Sequence, residues 1–299
     1  MPERAASSSL IAVCMAGAAR TLVHPLVLHT HRHHLLRPLD ADLFAVVNLR
    51  MDTSHGAIAN APVSELRRKG TERWRVEAAL ALLGARVIRF EEDEAPPQNS
   101  PCPGRRGQVA QFWNIQLCGE SVRLYETSHQ MQYRWLMRTR PDTYFRSPVL
   151  VPKVVASRVA HEGSLYYCTN NDAFFVANAM AMPALFSLHD MMNDCRWVGN
   201  SSVSRHLPAN VQCGLRQLTH TKGWIWPDCL MRITVWRYRL QGLPCADWGT
   251  TGRDFFRAYD ADGCNVSAPC AAANLHTRSP SVFFPTPPPE QRLDADIYQ

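Results

Sequence analysis

The chain has 299 residues, 46% of them apolar, enough to bury one large α/β core or two small ones. Its net charge of +6 comes from 32 basic and 26 acidic residues scattered along the chain, with no basic block and no aromatic-interleaved basic stripe, which argues against a nucleic-acid partner. No run of roughly 18 apolar residues occurs, so no segment reads as a membrane span.

Residues 1–9 are polar, and residues 10–19 are too short and too strand-like for a signal peptide. That leaves a cytoplasmic chain, or a luminal domain whose anchor lies outside this sequence. Residues 10–15 predict a central strand, with Cys14 as a buried thiol. Residues 16–20 are small up to Arg20 and predict a turn that a ligand or helix can approach closely. The histidines His24, His29, His31, His33 and His34 offer one i, i+4 pair, His29/His33, with no acid beside it. They read as a solvated loop or an early helix face rather than a metal site.

Residues 43–48 predict a second strand. Residues 72–83 predict a helix whose apolar face carries Trp74, Val76, Ala79, Leu80 and Leu83, ended by Gly84. A third strand follows at 86–90, then a loop to residue 107 that opens on the acidic run Glu91-Glu92-Asp93-Glu94, read as a solvated strand end. Residues 109–126 predict a second amphipathic helix, with Phe112, Trp113, Leu117 and Leu124 near one face and Gln111 and Asn114 on another. Trp135-Leu136-Met137 is a buried strand, and 165–168 a short one. Residues 173–192 predict a helix interrupted at Pro183. From Cys195 onward tryptophans mix with cysteines, and 279–299 is a Pro-rich tail. Alternating strands and helices predict a mostly parallel α/β sheet with helices on both faces, followed by a Cys/Trp-rich C-terminal portion.

Charge gathers where the Trp135 strand ends. Arg138 and Arg140 alternate about Thr139, so both point to one side of a strand. Guanidinium groups there suit a diphosphate, which they grip in a bidentate way. The competing reading is an ion pair with Asp142 or Glu126. Asp142 reads as a metal or ribose ligand, or as a turn residue after Pro141. Arg20 follows the first strand, where α/β sheets meet ligands. Asn171 and Asp172 follow the 165–168 strand, in a stretch that is also good turn chemistry. Asp228, after Trp224, Trp226 and Pro227, is an acid among tryptophans, an environment that raises basicity and suits a general base. Its other reading is a helix cap.

Ten cysteines without a Cys-x-x-Cys pair do not resemble a zinc site. With the sequons Asn200-Ser201-Ser202 and Asn265-Val266-Ser267, they fit an oxidising secretory compartment, the lumen of the Golgi or endoplasmic reticulum, if an anchor or signal lies elsewhere.

The stretch from Arg138 to Phe145 resembles a group of eukaryotic glycosyltransferase-like proteins of GT-A type. So do Val13 to Thr21, Gln111 to Cys118 and Asn171 to Phe174, in the same order. The resemblance implies a GT-A-like (Rossmann-like) domain over residues 10–278, with a nucleotide-binding half at 10–150 and an acceptor half at 151–278. It implies transfer of a sugar from a nucleotide-diphosphate sugar to a hydroxyl of a glycan, protein or small molecule. Arg20, Arg138 and Arg140 would bind the donor diphosphate. Gln111, Asn171 and Trp226 would hold sugar or acceptor, and Asp172 or Asp228 would serve catalysis. The group's acidic cluster after the fourth strand is here Arg140-Pro141-Asp142-Thr143-Tyr144, with only the last acid kept. Asp142 is then the candidate ligand for a divalent metal, Mn or Mg, unless the arginines supply that charge. The same fold without catalysis, a sugar- or nucleotide-binding module, is the alternative.

Overall fold

A computed structural model describes residues 11–19, 21–49, 72–94, 106–145, 147–150, 166–170, 174–193, 233–234, 236–242 and 255–257. Strand β1 (Ile11–Ala18) is buried along almost its whole length, as expected of a parallel strand covered on both faces. It runs three residues further than the sequence pattern suggests. Helix α1 (Pro25–Thr30) begins with Pro25 in its first turn and with His24 Nδ1 accepting the Leu26 N–H at 3.1 Å. It continues through a π-helical stretch, His31–Leu36, into a last turn, α2 (Arg37–Leu39), which stops at Asp40 in the left-handed region, φ 44°. The buried positions Val27, Leu28, Leu35, Leu36 and Leu39 keep helical spacing through the π turn, so of the two readings of this segment, solvated loop or early helix face, the helix is found.

Strand β2 (Asp42–Asn48), helix α3 (Arg73–Leu82) and strand β3 (Ala85–Phe90) follow. A short 3-10 turn, Glu91–Asp93, comes next. Helix α3 buries Val76, Ala79 and Leu80, but Trp74 is exposed, with the Arg75 guanidinium 4.3 Å from its ring centroid. Helix α4 (Arg106–His129) is longer than expected and buries Phe112 and Leu117, leaving Leu124 exposed. Both corrections have one cause: a large apolar side chain at the edge of a helical stripe need not reach the sheet. Strands β4 (Trp135–Thr139), β5 (Thr143–Phe145), β6 (Tyr166–Asn170) and β7 (Phe174–Asn178) come next. The predicted helix over 173–192 is corrected: its first part is strand β7, and helices α5 (Met182–Phe186) and α6 (Leu188–Asn193) form the rest. Pro183 starts α5 rather than interrupting a helix. A short apolar run is ambiguous between strand and buried helix, and pairing with β4 decides it. Strands β8 (Gln241–Gly242) and β9 (Phe255–Arg257) complete the described elements.

Seven strands form one sheet in the order β3-β2-β1-β4-β7-β6-β8, while β5 and β9 pair separately. Strands β1 to β4 are parallel, β7 runs against its neighbours β4 and β6, and β8 is parallel to β6. The sheet is therefore mostly parallel, in an α/β fold. Ala12, Cys14 and Ala16 pack with helix α4 and with Leu185 and Met191 on one face. Ile11, Val13 and Met15 pack with Leu28, Leu35 and helix α3 on the other. Helices thus cover both faces.

Cys14 is not a thiol: it forms a disulfide with Cys118 of α4, closing a separation of 104 residues. The expected Pro-rich tail, both sequons and the tryptophans other than Trp74, Trp113, Trp135 and Trp236 lie outside the described residues.

Candidate functional site at the C-terminal edge of the parallel strands

The chain leaves β1 for β2 and β3 on one side and returns to β4 on the other. The C-terminal ends of β1 and β4 thus bound the crevice where strand order reverses, the position at which open α/β sheets take ligands. At the β1 end, Gly17 has φ 135°, a conformation that L side chains avoid, and an added Cβ would stand 3.6 Å from Pro141 Cδ. The end of β1 and the turn after β4 are therefore close neighbours.

That turn carries the charged motif, and its two arginines part company. Arg138 is in register with Cys14 of β1 and Phe175 of β7, both of which face α4. Its side chain is fully buried there, and Nη2 donates to the Ala16 carbonyl at 3.4 Å. Beyond Thr139 the chain turns, with the Thr143 N–H donating to the Arg140 carbonyl at 3.2 Å. Arg140 Nε donates to Asp142 Oδ1 at 2.9 Å and Nη2 to Oδ2 at 3.2 Å, both side chains buried. Of the two partners weighed for an ion pair, it is Asp142 that is found. Glu126 instead accepts the Tyr133 N–H.

The turn rests on the histidine segment. Phe145 N–H donates to Thr30 Oγ1 at 3.3 Å, His34 Nδ1 donates to the Phe145 carbonyl at 2.7 Å, and Val149 N–H donates to the His34 carbonyl at 2.7 Å. His31 is completely buried, edge-on to Phe145 at 5.3 Å. Neither of its ring nitrogens meets hydrogen-bond geometry. The carbonyls of Pro141 and Thr143 and the charge of Asp142 favour its protonated form, but burial outweighs them and pushes its pKa down to about 4. His29 and His33 stack at 4.4 Å, and burial lowers both. The solvated reading of these histidines is thus corrected at His31, which is a core residue beneath the Asp142 turn. Among the described residues, no group of three or more His, Cys, Asp or Glu side chains is arranged to hold a metal.

The acidic run after β3 is exposed at Glu92 and Asp93, as a solvated strand end requires, and differs from expectation at Glu91. Glu91 is buried, 8% exposed, and its Oε2 accepts from Asn48 Nδ2 and Asn114 Nδ2, each at 2.7 Å. Glu92 accepts the Leu49 N–H at 2.9 Å, Glu94 pairs with Arg89 at 2.6 Å, and Asp93 pairs with Arg73 at 2.6 Å. Of these acids only Glu91 is buried against the sheet edge. The strand ends themselves are the signal that points to Glu91 and Asn48, since each lies at the C-terminal limit of a parallel strand. Gln111 sits on α4 one turn before Asn114. Arg20, Asn171, Asp172, Trp226 and Asp228 lie outside the described residues.

No protein-family model matches the sequence, and no curated protein matches it. Among solved structures, a nucleoside-diphosphate-sugar pyrophosphorylase from Vibrio cholerae RC9 is similar with a TM-score of 0.39 and 9% identity, over 90% of this chain and 100% of that one. A glycosyltransferase involved in the glycosylation of the major capsid of PBCV-1 is similar with a TM-score of 0.28 and 8% identity, over 72% of this chain and 80% of that one.

Proposed function

We propose that the chain is a GT-A-like glycosyltransferase that binds a nucleotide-diphosphate sugar at the crevice between β1 and β4. The observation that carries this reading is the position of the Arg138–Asp142 motif: positive groups packed at the C-terminal edge of the sheet, where strand order reverses. Negative charge grows on the diphosphate as the glycosidic bond breaks. Arginines already fixed there stabilise that charge without reorganising during the reaction. In this proposal Arg20, after β1, contacts the diphosphate, while Arg138 and Arg140, buried beneath the crevice, supply fixed positive charge to it without direct contact. Asp172 or Asp228 takes the proton of the acceptor hydroxyl, and Gln111, Asn171 and Trp226 hold sugar or acceptor. The Cys14–Cys118 disulfide supports a lumenal setting.

A divalent metal on Asp142 does not fit the arrangement described. Both carboxylate oxygens accept from Arg140, and the side chain is wholly buried. No step is therefore routed through a metal, and charge neutralisation is assigned to guanidinium. The same closed pair favours a second reading, a non-catalytic nucleotide- or sugar-binding module on this fold.

Thermal unfolding with UDP, GDP, ADP and CDP, each with Mn²⁺ and with EDTA, tests the proposal. One nucleoside diphosphate should raise the melting temperature, since a ligand at about 100 times its Kd stabilises by about 2.7 kcal/mol, and EDTA should leave the rise intact. Flat curves across the panel overturn the reading. Binding without turnover of any matching nucleotide sugar, across a panel of hydroxyl acceptors, selects the module. In the same assays Asp142→Asn should cost about 3–5 kcal/mol of stability, because it removes the charge partner of a buried guanidinium.

A further inference from the structure

Away from the crevice, one stretch of surface combines features that the fold itself does not require. Between Asp228 and Asp247 the sequence carries three arginines and no acid. Inside that stretch Trp236, Arg237, Tyr238 and Arg239 are exposed one after another. Of the large aromatics exposed among the described residues, Trp74, Trp236 and Tyr238, two stand in this turn. The turn is anchored on both sides. Ile233 and Leu240 are buried in the core beneath α4 and α6, and Thr234 Oγ1 donates to Met191 Sδ at 3.1 Å. Within the turn, Tyr238 N–H donates to the Thr234 carbonyl at 3.0 Å and Arg239 N–H to the Trp236 carbonyl at 3.2 Å. Arg239 has φ 49°, a left-handed conformation that glycine or asparagine adopts at less cost. A single exposed aromatic is ordinary. A pinned turn that presents two aromatic rings and two guanidinium groups together has the composition of a binding surface, because these side chains give large contact area at small entropic cost.

The turn leads into β8, and the pairings Gly242–Tyr167, Tyr167–Ala177 and Ala177–Leu136 set its level in the sheet. It therefore lies at the N-terminal edge of the parallel strands, opposite the crevice. It is also displaced from β4 by the three strand spacings to β8, about 14 Å. A partner held there leaves the crevice open, and its binding does not depend on a nucleotide. The order of the side chains selects the partner. Ring and guanidinium alternate, and Arg237 lies 5.4 Å from the Tyr238 ring centroid. A lipid surface calls for apolar groups gathered on one face, apart from the cations. A nucleic-acid strand calls for a basic groove longer than this turn. An acidic polysaccharide alternates as the turn does: each sugar offers an apolar C–H face to an aromatic ring, and a carboxylate or sulfate to a guanidinium fork. We propose that this turn binds an acidic polysaccharide, with sugar rings stacked on Trp236 and Tyr238 and their anionic groups paired with Arg237 and Arg239.

Isothermal titration of the wild-type chain with polygalacturonate, dextran sulfate and neutral dextran tests this. At least one of the two acidic polymers should bind, and neutral dextran should not. Trp236→Ala/Tyr238→Ala keeps every charge and should weaken binding by about tenfold or more, since the stacked rings are lost. Arg237→Gln/Arg239→Gln should weaken it by a similar factor and flatten its salt dependence. Both pairs are exposed, so the melting temperature of each variant should stay close to that of the wild type. No binding of either acidic polymer overturns the proposal. So does unchanged affinity in the folded aromatic variant, which would reduce the binding to bulk charge. Tighter binding to oligo-dT, or to vesicles of equal parts phosphatidylcholine and phosphatidylserine, overturns it in favour of a nucleic-acid or a membrane partner.

Discussion

Three buried polar groups at the sheet edge follow different rules. Arg140 and Asp142 satisfy each other, so their burial is tolerable as a pair and costly for either alone. Glu91 is satisfied by neutral donors on one oxygen. His31 avoids the cost by staying neutral. Because its folded pKa, about 4, lies below the ordinary value of 6.5, the unfolded chain binds the proton more readily between those limits. The stability this gives is complete above about pH 6.5 and is lost as the pH falls toward 4. The shift corresponds to about 3 kcal/mol. His29, His33 and His189 are lowered too and act in the same sense. Urea unfolding of the wild type and His31→Gln at pH 7.5 and pH 4.5 should show a smaller acid-induced loss in the variant. An identical loss in both would show that His31 does not titrate across this interval.

At the scale of elements, α4 is held tightest where its surface is smallest. Gly119 faces Phe186 of α5, and a methyl group at Gly119 would land on the Phe186 side chain, Cβ and ring alike. Phe186 is 2% exposed and packs edge-on against Phe175 of β7, so it has little room to yield. Gly119→Ala should therefore destabilise by about 1–3 kcal/mol, although alanine is the better helix former by about 1 kcal/mol. A chemical-denaturation midpoint at or above wild type would show that the two helices separate more easily than this packing allows. These elements also mark what sequence alone can yield. Strands β1, β2 and β4 were legible because uninterrupted apolar runs such as Ile11 to Ala16 suit burial on both faces. The α1 segment was legible only as one of two readings, because histidines fill the positions between its apolar residues, and β7 was hidden by an apolar run that either state accommodates. The Arg138–Asp142 cluster was visible as a motif. That Arg138 faces α4 while Asp142 turns toward His31 depends on the chain reversal at Pro141, which periodicity does not encode. Glu91 was misread because its partners, Asn48 and Asn114, are 43 and 23 residues away.

For the molecule as a whole, the Cys14–Cys118 bridge ties the central strand to the helix that covers it. Cys118 lies one turn beyond Asn114, so the bridge also holds in place the carboxamide that grips Glu91. Linking residues 104 apart removes much of the freedom of the unfolded chain. On the chain-entropy account, a loop of about 100 residues contributes about 4–5 kcal/mol at 25 °C. Both cysteines are fully buried among the apolar side chains that join β1 to α4, which pack these two elements together without the bridge. The double variant Cys14→Ala/Cys118→Ala should therefore keep the fold, with a urea midpoint lowered in proportion to a loss of that size. The slope of unfolding should be unchanged or steeper, because an unlinked chain expands further. Measuring the variant rather than adding reductant to the wild type isolates this bridge from the other cysteines. A midpoint equal to wild type would mean that the two sulfurs are not joined in the folded protein, and would remove the strongest structural support for an oxidising compartment.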